Sequence, residues 1–370
     1  MKWIYKIGVW LIIVGFVACN GSKKNQSNEI GTFKPLDPLI SSLIENEELI
    51  GAELYILQDE INVFHHVYGW SDLNKKRKIE KNDIWAVKSM TKPITATAIL
   101  ILRDEGLLSL DDPVTKHIPQ FKGYKQATIR NLLLQNSGDD GSHGNHNENI
   151  FDFNSQEEWI LDWANHKPKG TFGEYDYSNF NYEALGYIIS KISQQPVETF
   201  IEERIFKPLG LRNSHTYFSP NKDWAERVPS RNRRNDDNEI EIIQTNKDEQ
   251  PWTFFPASFG LWMSNQDFAI FLQMWMNGGK HGSIQILTEN TVKEALQIGV
   301  WINKEDMAGQ GLGWQIETDP FIYYKGGADG SIGMAFPKEN TIIVFTTHMQ
   351  KGRHGEKIWN VLGEHLFDWD

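Results

Sequence analysis

Three observations predict an α+β fold, in which an antiparallel sheet is flanked by helices and carries an inserted all-helical region. Two short runs near the start, Ala52 to Leu57 and Ile61 to Tyr68, are separated by a polar turn at Gln58-Asp59-Glu60 and read as a hairpin. Four strand-like runs stand near the end: Gly311 to Thr318, Phe321 to Tyr324, Ile332 to Phe336 and Ile342 to Thr347. Between these groups the apolar residues recur at helical spacing, most clearly from Ser89 to Leu102, Ala184 to Ile192 and Asn265 to Met276. Strands at both ends then pair into one sheet, drawn from 50–85 and 300–350, while about 90–290 forms the helical region. A cleft is expected between the two parts.

Taken in order, the chain opens with Met1-Lys2 and Lys6, then runs apolar from Ile7 to Ala18. That is about a dozen residues, fewer than the ~20 that span a bilayer, and it has the plan of a secretory signal over 1–18. The only cysteine, Cys19, follows Phe16-Val17-Ala18. A polar stretch completes 19–35 and suits a tether. One cysteine permits neither an internal disulfide nor a multi-cysteine metal site.

The domain proper is expected over 36–370, beginning with an amphipathic helix from Leu36 to Leu49. His65 and His66 fall in the second strand, where alternation sends them to opposite faces. Ile129 to Leu134 reads as a helix capped by Gly138. His143 and His146 lie in a polar loop with no third ligand at metal spacing, so no metal and no cofactor is expected. Arg231-Asn232-Arg233-Arg234 reads as a solvated loop in a surface excursion from Asp223 to Gln250. A terminal helix is expected from Gly355 to Phe367.

A net charge of -12 over 370 residues argues against a nucleic-acid partner. Chemistry is better sought at Ser89-Met90-Thr91-Lys92. Pro93 is tolerated only in a first helical turn, so Ser89 must sit at or beside the helix start. Residues three apart share a helix face, which brings the Lys92 amine to the Ser89 hydroxyl. The pattern is weak alone, since Ser219-Pro220-Asn221-Lys222 also fits it, but no apolar helix follows there. Tyr177-Ser178-Asn179 stands in a polar loop before a helix. Lys325-Gly326-Gly327-Ala328 ends a strand, where glycines admit close backbone approach; Lys280-His281-Gly282 repeats the pattern in a turn.

Ser89-x-x-Lys92, Tyr177-x-Asn179 and Lys325-x-Gly327, in this order, resemble the three motifs of the serine β-lactamase and penicillin-binding-protein superfamily. The tyrosine resembles the branch of class C β-lactamases, D-alanyl-D-alanine carboxypeptidases and related esterases. Resemblance continues through Leu110-Asp111-Asp112-Pro113, Asn136-Ser137-Gly138, Phe206-Lys207-Pro208-Leu209-Gly210 and Gly311-Leu312-Gly313-Trp314. It implies a β-lactamase/transpeptidase-like fold and a hydrolase in which Ser89 forms an acyl-enzyme.

The same resemblance makes Tyr177 the first choice of base and later acid, its phenolate stabilised by Lys92 and Lys325. A neutral Lys92 is the alternative. It also implies an oxyanion hole from the backbone N–H groups of Ser89 and Ala328, and substrate binding by Asn179, Lys325, Gly326 and Gly327. The N-terminal segment resembles a bacterial lipoprotein signal, so Cys19 is expected to be lipidated and to hold the chain at the cell envelope.

Gly326 departs from the pattern, because relatives that recognise a free carboxylate commonly carry a hydroxyl residue there. Loss of one hydrogen bond to a charged group removes about 1.5–3 kcal/mol of binding. Esters, amides or peptide-like substrates are therefore expected ahead of β-lactams. The alternatives are a β-lactamase or penicillin-binding carboxypeptidase, and a non-catalytic envelope receptor on the same fold.

Overall fold

The computed structural model describes residues 36–141, 153–164, 166–250 and 252–350. Cys19 and its tether, His143, His146 and the terminal helix expected from Gly355 lie outside them.

The main sheet is wholly antiparallel. Its strands are β1 (Gly51–Gln58), β2 (Ile61–Gly69), β3 (Val300–Asn303), β4 (Ala308–Gln310), β5 (Gln315–Thr318), β6 (Phe321–Gly326), β7 (Ile332–Phe336) and β8 (Thr341–Thr347). Their spatial order is β3-β4-β5-β6-β7-β8-β1-β2. The two ends of the chain meet where β1 pairs with β8, Ala52 opposite Thr347 and Gln58 opposite Thr341.

Alternation along β1 explains the layers. Leu54 and Ile56 point to one side, with Phe64, Met334, Ile343 and Phe345, and are covered by Leu36, Ile40 and Leu43 of α1 (Leu36–Glu45). Tyr55 and Leu57 point to the other, into the large core shared with the helical region. Complete burial of one such aliphatic side chain contributes about 1.5–3 kcal/mol, so a one-residue slip in register would expose both sets.

At the centre runs α2 (Thr91–Asp104), whose residues from Thr91 to Leu102 are all buried. A helix apolar on every side must be surrounded, and its polar groups must find partners inside. They do: Thr95 Oγ1 donates to Ala257 O at 2.6 Å, Thr97 Oγ1 to Pro93 O at 2.8 Å, and Thr91 Oγ1 accepts from Leu261 N at 3.2 Å. Alongside lies α3 (Asn179–Ser193). A further helix, α4 (Asn265–Met276), is tied to the sheet by Asn265, which donates to Glu53 O and Val344 O and accepts from Thr346 Oγ1.

The structure corrects several expectations. The first segment of the main sheet ends at Gly69 rather than near 85, and Trp85–Ala86 pairs with Trp262–Met263 in a separate small sheet. The middle of the chain is not all helical: Arg231–Arg234 and Ile240–Gln244 form a hairpin that pairs with Met349–Gln350. The arginine run is thus a strand, and the Arg231 side chain is mostly buried against Asp329. Lys280–His281 is also a short strand, paired with Ile284–Gln285. The helix before Gly138 spans Ile129–Leu133, and the left-handed residue that ends it is Gln135, at φ 59°. Alternation at His65 and His66 holds: His65 meets Glu53 on one face and His66 meets Asp37 on the other.

Candidate active site

Ser89 sits in one tight turn, Lys88–Met90, that leads directly into α2. Pro93 is the third residue of that helix, inside the first turn, where a missing N–H costs nothing. On the next rung of the helix Lys92 is fully buried. Its Nζ donates to Asn179 Oδ1 at 2.6 Å and to Ser258 O at 3.0 Å, and lies 3.3 Å from Ser89 Oγ.

Tyr177 reaches the same atom, donating to Ser89 Oγ at 2.8 Å. Its loop is pinned to the corner that follows Leu133. Gly173 N donates to Asn136 O at 2.9 Å, Asp176 N to Gln135 O at 2.8 Å and Ser178 N to Gln135 Oε1 at 3.1 Å. Ser178 then caps α3 through Phe180 N, which makes Asn179 the first helical residue and aims its side chain at Lys92.

The third motif arrives on β6. Lys325 is buried, pairs in register with Gly333 of β7, and places Nζ 4.9 Å from the centre of the Tyr177 ring. Lys92 Nζ stands 4.8 Å from the same centre. Two amines therefore flank one phenol within cation–π range.

The two glycines of that motif differ. A Cβ on Gly327 would fall 2.5 Å from Val87 O, so only glycine lets the strand end approach the Ser89 turn this closely. A Cβ on Gly326 would meet only Ser331 O, at an ordinary 3.6 Å. The missing hydroxyl is thus not excluded by space. Ala328 is exposed beside Gly327. Its amide, like that of Ser89, donates to no carbonyl in the turns and loops of the described residues.

Burial sets the electrostatics. It lowers Lys92 to about 7, against the pull of the Glu183 carboxylate, which favours the charged amine. It lowers Lys325 to about 8, where Tyr177 opposes the shift and Lys92 adds to it. Glu183 is raised to about 7 by burial despite accepting from Ala257 N, Ser258 N and Ser258 Oγ. By holding the 257–258 segment, Glu183 also fixes the carbonyl that Lys92 uses.

The structure therefore brings together Ser89, Lys92, Tyr177, Asn179 and Lys325, with Gly327 and Ala328 at the rim. Sequence reasoning passed over Gln135, Glu183 and Ser258. Only Glu183 carried a signal, as an acidic residue immediately before the apolar run from Ala184, where a charge needs a partner. Among the described residues no group of three potential ligands could hold a metal. A hollow lined by Trp275, Met276, Lys293 and Phe321 contains none of these residues.

The Beta-lactamase family model matches residues 36–365. Protein flp of Staphylococcus aureus (strain MRSA252) is 32% identical over 202 residues, 52% of this chain and 39% of that protein. The chain thus spans less than half the length of this relative. Among solved structures, EstCE1, described as a hydrolase with promiscuous acyltransferase activity, is 18% identical at a TM-score of 0.77, over 90% of this chain and 99% of its own. A class C beta-lactamase is 18% identical at a TM-score of 0.75, over 93% and 98%. The fold is shared over at least 90% of this chain and nearly all of each of those two. Given the match from 36 to 365, the chain belongs to the Beta-lactamase family, within the serine β-lactamase and penicillin-binding-protein superfamily.

Proposed function

We propose that the protein is a serine hydrolase that forms an acyl-enzyme at Ser89 with an ester, amide or peptide-like substrate. One observation carries this reading: Ser89 Oγ lies 2.8 Å from Tyr177 Oη and 3.3 Å from Lys92 Nζ. A structural serine would have no use for a buried amine and a tyrosine together.

The chemistry follows from hydrogen-bond capacity. A neutral Lys92 has two N–H groups and one lone pair. Asn179 Oδ1 and Ser258 O are acceptors and occupy the two N–H groups, so the lone pair faces Ser89 Oγ. With Lys92 lowered to about 7, a substantial share is neutral near pH 7. Lys92 then takes the Ser89 proton as Oγ attacks the carbonyl carbon. The amides of Ser89 and Ala328 receive the oxyanion. Tyr177, already donating to Oγ, passes its proton to the leaving group and is reprotonated from Lys92. Water attacks the acyl-enzyme by the reverse transfers. This geometry favours Lys92 as base over Tyr177, the first choice from sequence.

Gly326 supports esters and uncharged amides ahead of β-lactams, and a lipid on Cys19 would keep the enzyme at the envelope surface. A panel of p-nitrophenyl esters, D-amino-acid peptides and cephalosporins, run beside Ser89→Ala, tests the reading. Ester turnover lost in Ser89→Ala is expected; cephalosporin turnover exceeding ester turnover would favour a β-lactamase. Labelled palmitate incorporation, abolished by Cys19→Ser, tests the anchor.

A further inference from the structure

The residue immediately before Ser89 is a lysine that the proposed chemistry does not use. Lys88 is 8% exposed, and its backbone is left-handed, at φ 50°. That conformation strains an ordinary residue, and an amine covered to this extent is costly unless it is paired. Yet among the described residues no hydrogen bond and no ion pair reaches Lys88 Nζ. What surrounds it is an aromatic wall, with the ring centres of Trp252 and Phe259 each 5.8 Å away.

The carboxylate that favours its charged form is already engaged. The Asp329 carboxylate accepts from Arg231 Nε at 2.6 Å, from Arg231 Nη2 at 3.2 Å and from Gln350 Nε2 at 2.7 Å. Arg231 and Asp329 cancel each other, so the group as a whole retains the charge of Lys88. Burial, then Arg231, draws the amine down to about 7, with Asp329 opposing. An anion placed beside it would restore the charged form and gain a hydrogen bond to an ammonium.

Position indicates which part of a substrate would bring that anion. Tyr177 serves the leaving group, and its ring is flanked by Lys92 and Lys325. Lys88 is not one of those two amines: its Cβ is 3.4 Å from where a Cβ on Gly327 would lie, and its amine lies 5.8 Å from the ring centres of Trp252 and Phe259. The acyl portion of a substrate held in the Ser89–Ala328 oxyanion site would extend that way.

Resting on the serine-hydrolase reading, we propose that Lys88 is a specificity residue that binds a carboxylate at the far end of the substrate's acyl group, whose apolar body packs against Trp252 and Phe259. The preferred substrates are then hemiesters or hemiamides of dicarboxylic acids. The carboxylate recognised is on the acyl side, opposite to the one a hydroxyl at position 326 would read.

Two comparisons test this. In the first, kcat/KM is measured for mono-p-nitrophenyl glutarate and p-nitrophenyl butyrate, corrected for spontaneous hydrolysis, and the ratio is read rather than either rate. The ratio should favour glutarate about ten-fold or more, the scale of a hydrogen bond between charged groups. It should collapse in Lys88→Met and survive in Lys88→Arg.

The second does not depend on turnover: monomethyl glutarate and methyl butyrate are titrated against full-length Ser89→Ala by ligand-observed NMR. Tighter binding of the glutarate, lost in Ser89→Ala/Lys88→Met, supports the proposal; equal affinities, or a preference that survives removal of Lys88, overturn it. If Lys88→Met does not fold, Lys88→Gln serves in both arms. Absence of turnover on every ester with intact glutarate preference in Ser89→Ala would reject the hydrolase reading and leave the anion site standing.

Discussion

Lys92 Nζ lies 2.6 Å from Asn179 Oδ1, so the first residue of one helix and the second residue of another are joined through a buried amine. Because Ser258 O takes a second proton of that amine, its orientation toward Ser89 is set by the fold before any substrate arrives.

The pH dependence follows with a definite sign. Lys92 must be neutral to accept a proton, so kcat/KM rises as pH increases through about 7. Lys325 acts as a cation beside Tyr177, so the rate falls as pH increases through about 8. A narrow bell between these values is expected from initial rates on a neutral ester. A rate that only falls as pH passes 7 would mean that Lys92 works as an ammonium and that Tyr177 is the base.

Glu183 holds the Lys92 proton more tightly by its charge. Glu183→Gln should therefore move the rising limb to lower pH while its one remaining oxygen can still accept from Ser258. A pH–rate comparison of the two proteins checks this, and a limb moved upward would contradict it.

Substitutions at the paired glycines should diverge. Gly327→Ala puts a methyl group 2.5 Å from Val87 O and must push the strand end away from the nucleophile, so ester turnover should fall by about 100-fold or more, the scale of a lost oxyanion donor. Gly326→Ser has room, and its hydroxyl should raise the rate of acylation by a fluorescent penicillin. A fluorescent-gel time course measures the second effect.

Arg231 and Asp329 form a pair whose side chains are 13% and 2% exposed. Burial alone would raise the Asp329 carboxyl, but Arg231 and Lys88 outweigh it and hold the group below its ordinary value. Arg231→Met removes the ion-pair partner of that buried carboxylate, leaving only Lys88 and Gln350 beside it, and should cost up to about 3–5 kcal/mol, seen as an earlier urea midpoint. The double variant Arg231→Met/Asp329→Leu should recover part of the loss.

Periodicity made the strands and the long helices legible: Ile332–Phe336 and Asn265–Met276 are bounded where alternation and helical spacing place them. Ser89, Lys92, Tyr177 and Lys325 were singled out because their three motifs, each weak alone, together resemble a known set in order and spacing. The Arg231 hairpin was not, since a charged, asparagine-rich strand buried by one ion pair has the composition of a loop. Gln135 was hidden for a related reason. Its work is to accept hydrogen bonds from Ser178 N and Asn181 Nδ2 across 43 and 46 residues of chain, and no local pattern records such a partner. Lys88 drew no reading from the sequence, because its left-handed backbone and aromatic surroundings have no local signature.

The account rests on a covalent bond at Ser89. Intact-protein mass spectrometry of enzyme quenched in acid during turnover of p-nitrophenyl butyrate should show one added butyryl group, mapped to the peptide bearing Ser89 and absent from Ser89→Ala. Ester turnover by Ser89→Ala at the unaltered rate, with no adduct on the parent protein, would contradict it.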